Sequence, residues 1–140
     1  MYDPDHIRSL FPLLVRHPEL IYLDNAATTQ KPASVIQRLT EFYQDGNANI
    51  HRGIYEMAAR TTRQYEAVRG RLAEFIGAAS REEIVYTSGA TAGINLVAHS
   101  FLRPRLQTGD EVLISAMEHH ANLIPWQMAC RAAGAKLRVI

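Results

Sequence analysis

From residue 83 onward the apolar residues come in two alternating rhythms, and that alternation leaves few folds open. "EIVYT" (83–87), "EVLIS" (111–115) and "KLRVI" (136–140) are short β-branched runs of the kind that form buried strands. Between them, residues 91–102 and 122–133 are apolar at helical spacing, and Gly134 follows the second run as a stop. Strand, helix, strand, helix, strand predicts an α/β fold: a mostly parallel sheet with right-handed crossover helices. "RPRLQTGD" (103–110) is the loop that returns the chain to the second strand.

The first 82 residues follow a different pattern. Pro4 to Phe11 reads as a short helix that Pro12 ends or follows, and "LIYLD" (20–24) as strand-like or extended. "NAATTQKP" (25–32) is a loop of small residues closed by a proline. Val35, Ile36, Leu39, Phe42 and Tyr43 mark a helix from Pro32 to Asp45, ended by Gly46. After the loop "GNANIHRGIY" (46–55), Tyr65, Val68, Leu72, Phe75 and Ile76 form the stripe of a long helix with Gly77 at its stop. Ser80 to Glu83 has capping-box spacing but leads straight into a strand, and so reads as a single turn.

Composition narrows the partners. A formal charge of +1 with no basic block argues against nucleic acid. No stretch approaches the roughly 20 apolar residues of a membrane span. Cys130 is the only cysteine, so no internal disulfide forms, which suits a reducing cytoplasm. Ile140 lies inside the last strand, where an end would expose an unpaired edge. The expectation is therefore an N-terminal piece of a longer protein.

Residues 87–91, Thr-Ser-Gly-Ala-Thr, are too small to build much core. They join the carboxyl end of a strand to a helix start, the place where open α/β sheets bind ligands. Free N–H groups and a positive dipole end suit a phosphate there, with Gly89 and Ala90 admitting close approach and Ser88 and Thr91 offering hydroxyls. An ordinary capped turn is the alternative. "AMEHHAN" (116–122) leaves the next strand in the same way. Adjacent histidines do not share a helix face, so a metal is the weaker use. An imidazole stacked on an aromatic cofactor is the better one, and a surface pair without a role is the alternative. Glu118 either orients an imidazole or is simply exposed. In "NIHRGIY" (49–55), Arg52 can grip a carboxylate, although composition alone favours a solvated loop charge. Cys130 shares a helical stripe with Leu123, Trp126 and Ala133, so it reads as core rather than nucleophile.

Taken together, "YLDNAATTQKP", "NIHRGIY", "YTSGATAGINLVA", "GDEVLISAMEHHAN" and "IPWQMACRAAGAKLRVI" resemble the N-terminal part of the SufS-type cysteine desulfurases. These are pyridoxal 5′-phosphate (PLP) enzymes of fold type I in the class V aminotransferase group. The resemblance runs in order over nearly the whole chain. It implies residues 1–24 as an N-terminal segment contributing to a small domain, and 25–140 as the first part of the PLP-binding large domain. It implies a reaction in which PLP serves as electron sink and L-cysteine becomes L-alanine. The sulfur passes through an enzyme persulfide to an acceptor protein for iron–sulfur cluster assembly. A cytoplasmic homodimer is implied as well.

Residue by residue, the resemblance assigns phosphate binding to Thr91 with backbone help from Ala90, and stacking on the cofactor ring to His119, the catalytic histidine of this segment. Asn25, Ala26 and Ala27 correspond to a loop lining the substrate pocket, and His51 and Arg52 to a loop near its mouth. Ser88-Gly89-Ala90-Thr91-Ala92 departs from the R-G-T-T-E common in the family, and the missing acid at Ala92 has no explanation. Lys31 and Lys136 are the only lysines, and neither has the context of the family's Schiff-base lysine. That lysine and the nucleophilic cysteine are expected beyond residue 140, so the chain alone is expected to be inactive. A selenocysteine lyase or another class V lyase, a non-catalytic truncated binding module, and an unrelated phosphate-binding α/β domain are the competing expectations.

Overall fold

Two glycines mark where the chain's longest helices stop. Gly77 and Gly134 both adopt left-handed backbone, at φ 71° and 70°. The residue after each closes the end: Ala78 N–H donates to Ala73 O and Ala135 N–H to Cys130 O, both at 2.9 Å. The computed structural model describes residues 3–140, so Met1 and Tyr2 of the expected N-terminal segment lie outside the described residues. The chain divides into two compact units, Met1–Arg81 and Glu82–Ile140.

The first unit is helical. Helix α1 (Pro4–Ser9) is capped by the Asp3 carboxylate, which accepts the N–H groups of Asp5 and His6 at 3.1 Å. Pro12 follows the end of this helix, as expected, and also opens α2 (Pro12–Arg16). At a first helical position the missing N–H costs nothing and the fixed φ is already helical. Residues 20–24 are extended without a ladder. Helix α3 (Ala33–Glu41) runs into a π-type turn, Phe42–Gly46, so the helix expected over 32–45 changes its winding near its end. Helix α4 (Glu56–Ile76) is the long one, and buries Ala58, Thr61 and Ala73.

The second unit is the α/β part. Helix α5 (Ala90–Leu96) continues as a π-type turn, Val97–Leu102. Strands β1 (Glu111–Ile114) and β2 (Lys136–Val139) pair in parallel, with Glu111 opposite Lys136 and Ile114 opposite Val139. Ile140 N–H donates to Ile114 O at 3.0 Å and extends the ladder by one step. Helix α6 (Ile124–Ala133) makes the crossover and packs on both strands. Ile84, Ala98, Ile114, Ala129 and Cys130 form the core of this unit.

One expected strand is absent as such. Residues 84–87 are extended, and Ile84 is buried, but they join no ladder among the described residues. Here β1 is paired with β2 alone, so the sheet has two strands rather than three.

Candidate functional site

The turn between the extended segment 84–87 and α5 is shaped by one hydroxyl and one glycine. Thr87 Oγ1 donates to Gly89 O at 3.1 Å, folding the chain back on itself. Gly89 has φ 157° and ψ 176°, a region that glycine enters without cost. No side chain caps α5, and the N–H groups of Ala90, Thr91 and Ala92 meet no acceptor among the described residues. Ala90 and Thr91 are exposed, and Thr91 Oγ1 makes no hydrogen bond among the described residues. The arrangement therefore offers outward donors beside a backbone bare of bulk, which is the chemistry a phosphate needs.

His119 sits at the head of a 3-10 turn, His120–Asn122. Its Nδ1 accepts the Ala121 N–H at 3.1 Å, so a neutral ring carries its proton on Nε2. The ring is exposed and meets His120 edge-on, with centroids 6.1 Å apart. Helix α5, which Thr91 opens, packs against this turn. The two motifs thus come together through a helix and a turn.

Glu118 settles differently from either sequence reading. It neither orients an imidazole nor points free into solvent. Its Oε1 accepts the Ser115 hydroxyl at 2.9 Å and its Oε2 accepts Asn122 Nδ2 at 2.7 Å. Asn122 Oδ1 in turn accepts Trp126 Nε1–H at 2.9 Å. These bonds, with Asn122 first and Ser115 second, hold the Glu118 carboxyl below the usual carboxylate range. The signal was present in the sequence: Glu118, Asn122 and Trp126 are spaced by four, and share one side of the turn and helix they span. The result is a braced turn carrying His119 on its outer side.

The remaining expected site residues lie in the first unit. Asn25, Ala26 and Ala27 are exposed in a turn that Asp24 O closes, accepting Ala27 N–H at 3.2 Å and Thr28 N–H at 3.1 Å. Tyr22 Oη donates to Thr28 O at 2.5 Å and ties the loop from below. His51 and Arg52 are exposed, and among the described residues no carboxylate pairs with the Arg52 guanidinium. Cys130 is buried in α6, and burial pushes its thiol pKa up, which leaves it a core residue. Among the described residues no group of three His, Cys, Asp or Glu is placed to hold a metal ion, and no helix is long and apolar enough to cross a membrane.

A family model described as aminotransferase class-V matches residues 21–140, and the chain belongs to that family. Within it, the chain is similar to cysteine desulfurases. It is 52% identical to a cysteine desulfurase of Cronobacter sakazakii, with 99% of this chain and 35% of that protein aligned. It is 49% identical to a probable cysteine desulfurase of Vibrio cholerae, over 98% of this chain and 35% of that one. The apo structure of a cysteine desulfurase from Thermococcus onnurineus superposes with a TM-score of 0.89 at 38% identity, covering 100% of this chain and 34% of that one. The chain thus spans about a third of the length of the relatives it matches.

Proposed function

We propose that this chain supplies the phosphate-binding turn and the ring-stacking histidine of a PLP-dependent cysteine desulfurase. The observation that carries the reading is the packing of the helix opened by Thr91 against the turn headed by His119, with outward donors on one and an exposed imidazole on the other. Ala90 and Thr91 fit the phosphate of PLP, and His119 fits a planar ring. Bound there, PLP supplies an electron sink for an amino acid. The chain's part is to bind the phosphate, flank the ring, and keep the proton of a neutral His119 on Nε2. Asn25, Ala26, Ala27, His51 and Arg52 are read as pocket lining, Arg52 as the cation of that loop.

The names of the relatives support L-cysteine over L-selenocysteine as the amino-acid substrate. The remaining parts of the reading are release of L-alanine and sulfur transfer by persulfide to an acceptor protein for iron–sulfur cluster assembly. We also infer a cytoplasmic homodimer, and a small-domain role for residues 1–24. The attacking thiolate and the Schiff-base lysine belong to residues outside these 140: Cys130 is buried, the Lys31 ammonium is held by Thr29 O, and Lys136 lies in β2.

The test is binding followed at the backbone amides of Thr91 and His119. PLP is expected to shift both, and pyridoxal without its phosphate to shift them far less. Thr91→Val is expected to weaken PLP binding about tenfold, the scale of one hydrogen bond to a charged group. Equal response to inorganic phosphate and PLP would reassign the site to a general phosphate-binding domain. The isolated chain is expected to release no L-alanine from L-cysteine, and steady release would overturn the division of labour.

A further inference from the structure

The loop that carries Arg52 turns on a strained residue. His51 is the one non-glycine position with positive φ among the described residues, at 67°. Arg52 N–H donates to Ile50 O at 2.9 Å across it, which makes His51 the centre of a positive-φ γ-turn. That turn is rare and strained for any residue other than glycine. Strain of this kind persists only where the surroundings over-determine it.

Helix α4 does so from three directions. The His51 N–H donates to Thr62 Oγ1 at 3.0 Å, and that hydroxyl is itself fixed by donating to Ala58 O at 2.7 Å. The imidazole meets the Tyr65 ring edge-on, centroids 5.7 Å apart. Its Nε2 lies 3.5 Å from Glu66 Oε1, while Glu66 Oε2 accepts Arg69 Nε at 3.1 Å. Thr62, Tyr65, Glu66 and Arg69 follow one another at the three- and four-residue steps of one helix face. On the other side of Arg52 the chain is wedged as well. A Cβ on Gly53 would stand 2.3 Å from Ala58 Cβ, so the backbone there lies directly on the fully buried Ala58.

We infer that Thr62 and Glu66 are positioning residues: they lock His51 in the strained turn and thereby fix the unpaired Arg52 at the loop's apex. A free loop would let that cation wander and form surface ion pairs. A locked one presents it in one place. The use of Arg52 on an anionic group of the substrate rests on the pocket-lining reading above, whereas the lock does not.

Limited trypsin digestion of the whole chain tests it, because Arg52–Gly53 is itself a tryptic bond and Arg105–Leu106 in the second unit serves as reference. Cleavage of a native chain follows the population of the locally open state. Thr62→Val, which removes the acceptor of the His51 N–H, is expected to speed cleavage after Arg52 about tenfold with the reference bond unchanged. Glu66→Ala is expected to speed it less. Glu66→Gln, which keeps the side chain's length against the imidazole but removes its charge, is expected to fall between the parent and Glu66→Ala. An unchanged rate at Arg52–Gly53 in Thr62→Val and Glu66→Ala overturns the lock, as does a rise at both bonds in step in the two variants. The digestion requires neither PLP nor turnover, so a failed desulfurase reading leaves this result standing.

Discussion

Residues 3–81 and residues 82–140 hold their shapes by different means. In the second unit the buried residues include Ile84 and Ile114, with Ala98, Ala129 and Cys130 filling between helices and strands. In the first, the core residues are Ala58, Thr61 and Ala73, while Ile21, Leu23 and Phe75 are each at least 80% exposed. What fixes the first unit is a set of polar clamps. Arg8 Nη2 lies within 3.4 Å of the carbonyls of Leu14, His17, Pro18 and Leu20. Arg60 Nη2 donates to Asp45 O at 2.6 Å, and Thr61 Oγ1 to Gly46 O at 2.9 Å. Packing leaves a period in the sequence; a clamp between residues 45 and 60 leaves none.

The largest expected effect sits in the packed unit. Ile114→Ala deletes a buried branched side chain at the carboxyl end of β1 and is expected to cost about 3 kcal/mol. Urea unfolding followed by the fluorescence of Trp126, the only tryptophan, measures it. A cost under about 1 kcal/mol would show that apolar burial does not govern this unit. Next comes Gly53→Ala in the clamped unit. The new methyl meets Ala58 Cβ and, at 3.1 Å, Tyr55 Cε1, so about 2 kcal/mol of overpacking is expected in a thermal melt. A silent substitution would mean the loop does not rest on α4.

The smallest effect is acid sensitivity. Glu118 has a lowered folded-state pKa, because Asn122 and Ser115 donate to its charged form. Its contribution is therefore present above the ordinary carboxylate pKa and is lost as pH falls through the lower folded value. Glu111 titrates downward too, through the hydrogen bond from Arg138, so acid loosens the β1–β2 edge over a similar range. Comparing Trp126 emission against pH in the parent and in Glu118→Gln separates the two. The variant is expected to lack the acid step that belongs to the braced turn and to keep the other.

This contrast also explains which features were legible. Gly77 and Gly134 were readable as stops because glycine takes left-handed backbone cheaply and helices end that way. The alternation from 111 to 140 was readable because β1 and α6 each bury one face, while β2 half-buries Leu137. "EIVYT" was not, since β-branched composition favours extension without fixing a place in a sheet. Pro12 was readable as following the first helix; the five-residue helix it opens was not, because so short a segment shows no period. At the candidate site, the small residues at 87–91 and the exposed His119 were visible as types. The hydrogen bonds that place them were not, because Glu118 could have met His119 or water just as easily as Asn122. The His51 turn was not legible: histidine enters positive φ more often than most residues, but far too rarely for one loop histidine to announce it.

The burial of Cys130 has a consequence for traffic in sulfur. Persulfides hand their outer sulfur to whichever thiolate reaches them, and a low-pKa exposed cysteine would intercept it. A thiol packed into α6 and kept protonated neither attacks nor receives. On the proposed reading, these 140 residues stay mute in the relay, and sulfur leaving the pocket finds no false acceptor along them.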